Sequence, residues 1–84
     1  MADVEIYTQP GCGYCARALN LLTRKGIAFR QIEAPQGTPE RQEAIRRSGR
    51  STVPQIFIGG DSIGGCDDLM ALERAGRLDA LLAA

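Results

Sequence analysis

The chain has 84 residues, enough for one domain over 1–84 and nothing more. Ten acidic and ten basic side chains cancel, which gives no footprint for nucleic acid or an anionic membrane. No apolar stretch approaches the ~18 residues of a membrane span.

Val4-Glu5-Ile6-Tyr7-Thr8 alternates and is β-prone, so it predicts a short strand that Gln9-Pro10-Gly11 breaks. Cys15, Ala18, Leu19 and Leu22 then recur at helical spacing through about Lys25. Arg24 and Lys25 suit the negative end of that helix, and Gly26 suits the left-handed position that closes it. Ile27 to Glu33 predicts a second strand at a sheet edge, parallel to the first because a helix joins them. Thr38-Pro39-Glu40 is a helix start, with a capping hydroxyl, a proline at the first position and an early acid. Ala44 and Ile45 are the few apolar residues of that helix, which Gly49 ends, so it covers a flank.

Val53 to Ile58 predicts a third strand, with Pro54 confined to its beginning. Gly59-Gly60 makes a hairpin turn to Asp61-Ser62-Ile63. Asp67-Asp68 begins a last helix whose Leu69 and Leu72 face the core. Gly76 closes it, and Leu78, Leu81 and Leu82 dock the tail. The expected class is α/β: a four-stranded mixed sheet flanked by three helices. Tyr7, Phe29 and Phe57 read as core, and Arg46, Arg47 and Arg50 as a solvated helix end able to attract acidic partners.

The cysteines are Cys12, Cys15 and Cys66. An odd number with a tight pair is not a disulfide scaffold. Structural zinc needs four ligands, and the chain has no histidine and one further cysteine. Redox chemistry is the remaining use of the pair, and it needs a thiolate rather than a thiol. Free N–H groups and the dipole at a helix start stabilise an anion there. Cys12 comes first in the turn and is the expected exposed nucleophile. Cys15, one turn into the helix on its apolar face, is the expected resolving thiol. In Gly64-Gly65-Cys66-Asp67-Asp68, helix-start N–H groups can hold a carboxylate while Asp67 or Asp68 holds an ammonium. Cys66 reads as a small residue packed beside that ligand.

Cys12-Gly13-Tyr14-Cys15, Thr52-Val53-Pro54-Gln55-Ile56-Phe57-Ile58 and Gly64-Gly65-Cys66-Asp67-Asp68-Leu69, in this order and spacing, resemble the glutaredoxin family over essentially the whole chain. The resemblance is to its short bacterial dithiol members. It implies a thioredoxin-like fold, a cis-proline loop at Thr52-Val53-Pro54, and glutathione-dependent reduction of protein disulfides and glutathione mixed disulfides. By motif it implies Cys12 and Cys15 as catalytic residues. Tyr14, Thr52, Val53, Pro54, Cys66, Asp67 and Asp68 are the implied glutathione contacts. Two departures stand out. Gln9 occupies a position where the family often has lysine, with Arg41 as a compensating cation, and Gly13 occupies one where it often has proline. A monomer acting on glutathione and on disulfide-containing or glutathionylated proteins in the cytoplasm is expected. The alternatives are a carrier of a 2Fe–2S cluster ligated by Cys12 in a bridged dimer, and a redoxin reduced by a thioredoxin reductase, against which the Gly-Gly-Cys-Asp-Asp segment speaks.

Overall fold

The computed structural model describes residues 2–84. Its elements are β1 (Val4–Thr8), α1 (Gly13–Arg24), β2 (Arg30–Glu33), α2 (Pro39–Ser48), β3 (Gln55–Ile58), β4 (Asp61–Gly64), α3 (Cys66–Arg74) and α4 (Leu78–Ala83). The sheet runs β2-β1-β3-β4, with β1 parallel to β2 and antiparallel to β3, and β3 antiparallel to β4. This is the expected thioredoxin-like arrangement. Several boundaries differ from the sequence reading: β3 begins at Gln55 rather than Val53, and α3 at Cys66 rather than Asp67. Strand β2 begins at Arg30 rather than Ile27, because Ile27 and Phe29 pack against the core from the connection instead of pairing in the sheet. The leucine-rich tail forms a fourth helix, whose Leu78 and Leu82 are buried while Leu81 is exposed.

Alternation along the two central strands divides the interior. Val4, Ile6, Ile56 and Ile58 face one side, where Ala18, Leu21 and Leu22 of α1, Cys66 and Leu69 of α3, and Leu78 and Leu82 of α4 close over them. Tyr7 and Phe57 face the other side and meet Ala34 and Ala44 beneath α2. Burying each large aliphatic side chain contributes about 1.5–3 kcal/mol, so the first side carries most of the hydrophobic stabilisation.

The second side is completed by a charge, which corrects the reading of Arg47 as solvated. Its guanidinium lies 4.0 Å from the Phe57 ring centroid and 5.8 Å from that of Tyr7. It donates to both carboxylate oxygens of Glu5, at 2.9 and 3.2 Å, and to the Tyr7 hydroxyl. Arg46, by contrast, is exposed and pairs with Glu43. The β3–β4 turn needs positive φ at both Gly59 and Gly60 (61° and 86°), which only glycine adopts without cost.

Candidate active site

Strand β1, the start of α1, the segment before β3 and the start of α3 converge at one end of the sheet. Thr38 Oγ1 accepts the Arg41 N–H and so starts α2, while at α1 the capping role falls to a sulfur. Cys12 is the N-cap residue, and its Sγ accepts the Cys15 N–H at 3.1 Å. The sulfur also lies 3.7 Å from the Val53 carbonyl oxygen. A sulfur held at a helix start by a donated N–H sits where backbone dipoles favour negative charge.

Cys15 is in a different setting. It lies on the buried stripe of α1 with Ala18, Leu21 and Leu22 and is 2% exposed. Burial, followed by hydrogen bonding to the Cys12 side chain, pushes its thiol up to about 12, with Arg41 pulling the other way. Burial also raises the Cys66 thiol. Cys12 is half-buried, so one sulfur faces solvent and two are held as thiols inside.

The peptide bond between Val53 and Pro54 is cis, as the motif implies. Gln55, fully buried, donates its Nε2 to the Thr52 carbonyl and Oγ1 at 3.0 and 3.2 Å and ties the loop down. Beside the loop, Tyr14, Thr52, Val53, Pro54, Gly65, Cys66, Asp67 and Asp68 line a cleft of about 270 Å³, and Arg50 completes it. Sequence reading missed Arg50, placing it on a solvated helix end. It follows the end of α2, and only the fold brings it to the start of α3.

The two aspartates diverge. Asp68 Oδ2 accepts the Gly65 N–H and the Arg50 Nη1, each at 2.9 Å, and these two donors hold its carboxyl below the usual range, the Arg50 contact most. Asp67 is exposed in the cleft with no ion-pair partner among the described residues. A Cβ on Gly64, which has φ +112°, would sit 2.3 Å from Asp68 Oδ2, so glycine here makes room for the cap.

Gln9 and Arg41 lie elsewhere. Gln9 lines a second groove together with Thr8, Cys12, Cys15, Gln31 and Glu33. Arg41 lines neither groove. It is 6% exposed and donates Nη1 to Gln9 Oε1 and the Ala34 carbonyl, and Nη2 to the Ser51 carbonyl. All three acceptors are neutral, so Arg41 brings uncompensated positive charge under the thiol pair while fixing Gln9 and the segment before Thr52.

A glutaredoxin family model matches residues 4–63. The chain belongs to the glutaredoxin family. It is 59% identical to a glutaredoxin of Pseudomonas aeruginosa over the full length of both chains. It is 55% identical to glutaredoxin 3 of Escherichia coli K12, covering 98% of this chain and 99% of that one. Among solved structures, a buckwheat glutaredoxin–glutathione complex superposes with a TM-score of 0.87 at 33% identity, covering 98% of this chain and 77% of that one. This glutaredoxin is therefore a glutathione-dependent thiol oxidoreductase. No helix of the described residues is long and apolar enough to cross a membrane.

Proposed function

We propose that Cys12 attacks a glutathione mixed disulfide or a protein disulfide, with glutathione as the reductant and Cys15 as an auxiliary resolving thiol. The observation that carries this is the contrast between the two sulfurs. Cys12 is reachable and accepts a helix-start N–H, whereas Cys15 is buried and held as a thiol. In the monothiol route the Cys12 thiolate forms a bond to the glutathione sulfur, and the released protein thiolate takes up a proton. A second glutathione thiolate then attacks the Cys12–glutathione disulfide, releasing oxidised glutathione and restoring the Cys12 thiolate. In the dithiol route Cys15 gives its proton to the leaving thiolate and closes a Cys12–Cys15 disulfide.

The cleft beside Cys12 is the glutathione site of this reading. Its Thr52–Val53 backbone is available to pair with a peptide-like ligand as an added strand. The first-turn N–H groups of α3 suit the γ-glutamyl carboxylate, and Asp67 suits the ammonium. Asp68 shapes the cleft from behind through Gly65 and Arg50. Arg41 acts through Gln9 and Ser51. Dependence on reduced glutathione suits a cytoplasmic protein, since that compartment keeps thiols reduced.

Cys12→Ser abolishes turnover of a glutathione mixed disulfide, whereas Cys15→Ser leaves much of it. A dead Cys15 variant beside a working Cys12 variant refutes the assignment. Asp67→Ala weakens glutathione-dependent turnover about 10–100-fold, the worth of one charge-assisted contact, and spares a small disulfide that lacks the γ-glutamyl group. Equal losses on both substrates leave Asp67 as a helix-start residue only.

A second reading uses the same sulfur as a ligand in a 2Fe–2S cluster bridging two protomers. No three His, Cys, Asp or Glu side chains of the described residues converge in one chain. Two Cys12 thiolates and two glutathiones therefore have to complete the set. Gly13 supports it, since no proline ring restrains the turn after Cys12. Reconstitution with iron and sulfide gives a coloured dimer only with glutathione present, and Gly13→Pro suppresses it. A colourless monomer under all conditions removes this reading.

A further inference from the structure

The cations that can meet a partner are not those at the end of α2. Among the described residues, Lys25 pairs with Glu73 and Asp79, Arg30 with Asp3 and Glu5, Arg46 with Glu43, Arg47 with Glu5 and Arg50 with Asp68. Arg41 is buried. The arginines left without a carboxylate are Arg17 and Arg24 on α1, Arg74 in the last turn of α3, and Arg77 in the turn that follows, and all four are exposed. Of the carboxylates without a partner, Glu33 is on β2, Glu40 on α2 and Asp61 at the β3–β4 turn, while Asp67 is at the start of α3 in the glutathione cleft. Three free arginines thus stand on α1 and α3, with Asp67 the one unpaired carboxylate there, at the cleft end of α3.

A groove runs along these two helices. Arg17, Asn20, Thr23, Arg24 and Met70 line a depression of about 460 Å³. Its active-site end is marked by Tyr14, 57% exposed, with the Arg17 guanidinium 6.0 Å from its ring centroid. Gly13, Tyr14 and Arg17 line a further depression of about 290 Å³, which shares Arg17 with the groove, and Gly13 follows Cys12 directly in the chain. Arg17 and Arg24 stand seven residues apart on one helix face, ~10.5 Å along the axis. Arg74 follows Met70 by one turn of α3 and flanks the same side. An extended chain rises ~3.3 Å per residue and alternates faces, so side chains four positions apart share a face ~13 Å apart, within reach of the Arg17 and Arg24 side chains, with the one between them over Met70.

We propose that this groove is the docking surface for protein disulfide substrates, and that it selects those with an acidic segment next to the target cysteine. In this arrangement the substrate's cysteine joins Cys12, its neighbouring chain lies along α1, and its carboxylates meet Arg17 and Arg24 with Arg74 at the rim. An apolar side chain between the acids rests on Met70. The proposal rests on the thiol-transfer reading above and names its substrate class. Charges at a rim chiefly raise association rates, so the preference belongs in kcat/KM and vanishes with salt.

The test uses two disulfide-bonded peptides that differ only in carrying glutamates or glutamines beside the disulfide, with turnover of a small glutathione mixed disulfide as the reference. At low ionic strength the glutaredoxin prefers the glutamate peptide about tenfold in kcat/KM. At about 0.5 M salt, where the screening length is about 4 Å, the preference falls below about twofold. The combined variant Arg17→Gln, Arg24→Gln, Arg74→Gln loses the preference at low salt and keeps turnover of the small mixed disulfide within about twofold. Equal use of the two peptides by the unaltered protein, or a preference that survives the triple substitution, overturns the docking surface. Failure of the unaltered protein on the small mixed disulfide is the separate result that overturns the thiol-transfer reading itself.

Discussion

The two faces of the sheet are covered by different physics. Under α1, α3 and α4 the cover is aliphatic, made by side chains that need nothing but one another. Under α2 it is two aromatic rings in edge contact, 5.6 Å between centroids, closed by the guanidinium of Arg47. Helix α2 has buried only Arg41 and Ala44, too little apolar surface to close a face by itself. A cation over ring faces supplies the missing cover, and Glu5 on the sheet balances its charge. The hydrogen bonds to Glu5 raise the Arg47 pKa further above its ordinary value. The active site lies where the two solutions meet, with Cys15 on the aliphatic side and Arg41 reaching in from α2.

The sharpest way to break this comparison is truncation on the aliphatic side. Leu22→Ala removes a fully buried side chain and costs about 2–5 kcal/mol in urea unfolding. A loss near 0.5 kcal/mol would mean that this face tolerates voids and is not close-packed.

The next effect is a pH dependence set by Cys15. Its pKa rises from 9.0 to about 12 on folding, so between those values the folded chain keeps a proton that the unfolded chain gives up. Stability of the reduced protein therefore falls as pH rises through that window, by at most about 1.4 kcal/mol per unit. The loss reaches about 2 kcal/mol near pH 10.5, and Cys66 adds in the same direction. Unfolding midpoints of Cys15→Ala, compared at pH 8 and about 10.5, show a flatter response. An unchanged slope would assign the effect to other groups.

On the α2 side, Arg47→Ala costs about 1–2 kcal/mol, less than an unpaired buried charge, because Arg30 also reaches Glu5 at 3.2 Å. Arg47→Lys recovers only part, since a lysine cannot meet both carboxylate oxygens and lie flat on the ring. Full recovery by lysine would show that charge alone matters there. The smallest effect separates neighbours on one helix. Arg46→Ala stays within about 0.5 kcal/mol, as expected of an exposed ion pair.

Much of the site was legible because its signals are local. Cys12-Gly13-Tyr14-Cys15 sits at a strand-to-helix junction, and that junction alone makes one sulfur a cap and buries the other. The turn at Gly59-Gly60, the start of α2 at Thr38-Pro39 and the start of α3 beside Asp67 are likewise written in adjacent residues. The alternation in Val4–Thr8 and the apolar run in Val53–Ile58 were enough to indicate strands, though their central place in the sheet was not. The leucines after Gly76 were legible as docking residues but not as α4, since a six-residue helix has little propensity of its own and forms because it packs.

Tertiary structure alone decided the fate of the charges. Arg41, Arg46, Arg47 and Arg50 are near neighbours on one short stretch of chain and look alike there. Folding buries the first against three neutral acceptors, leaves the second in solvent, lays the third on Phe57 and carries the fourth to Asp68. The contacts of these four arginines span up to 42 residues of sequence, as from Glu5 to Arg47. A charge is defined by what surrounds it in space. Hydrophobic periodicity and turn chemistry therefore determined the fold and which cysteine caps α1, whereas packing determined which arginines hold the structure and which are left free.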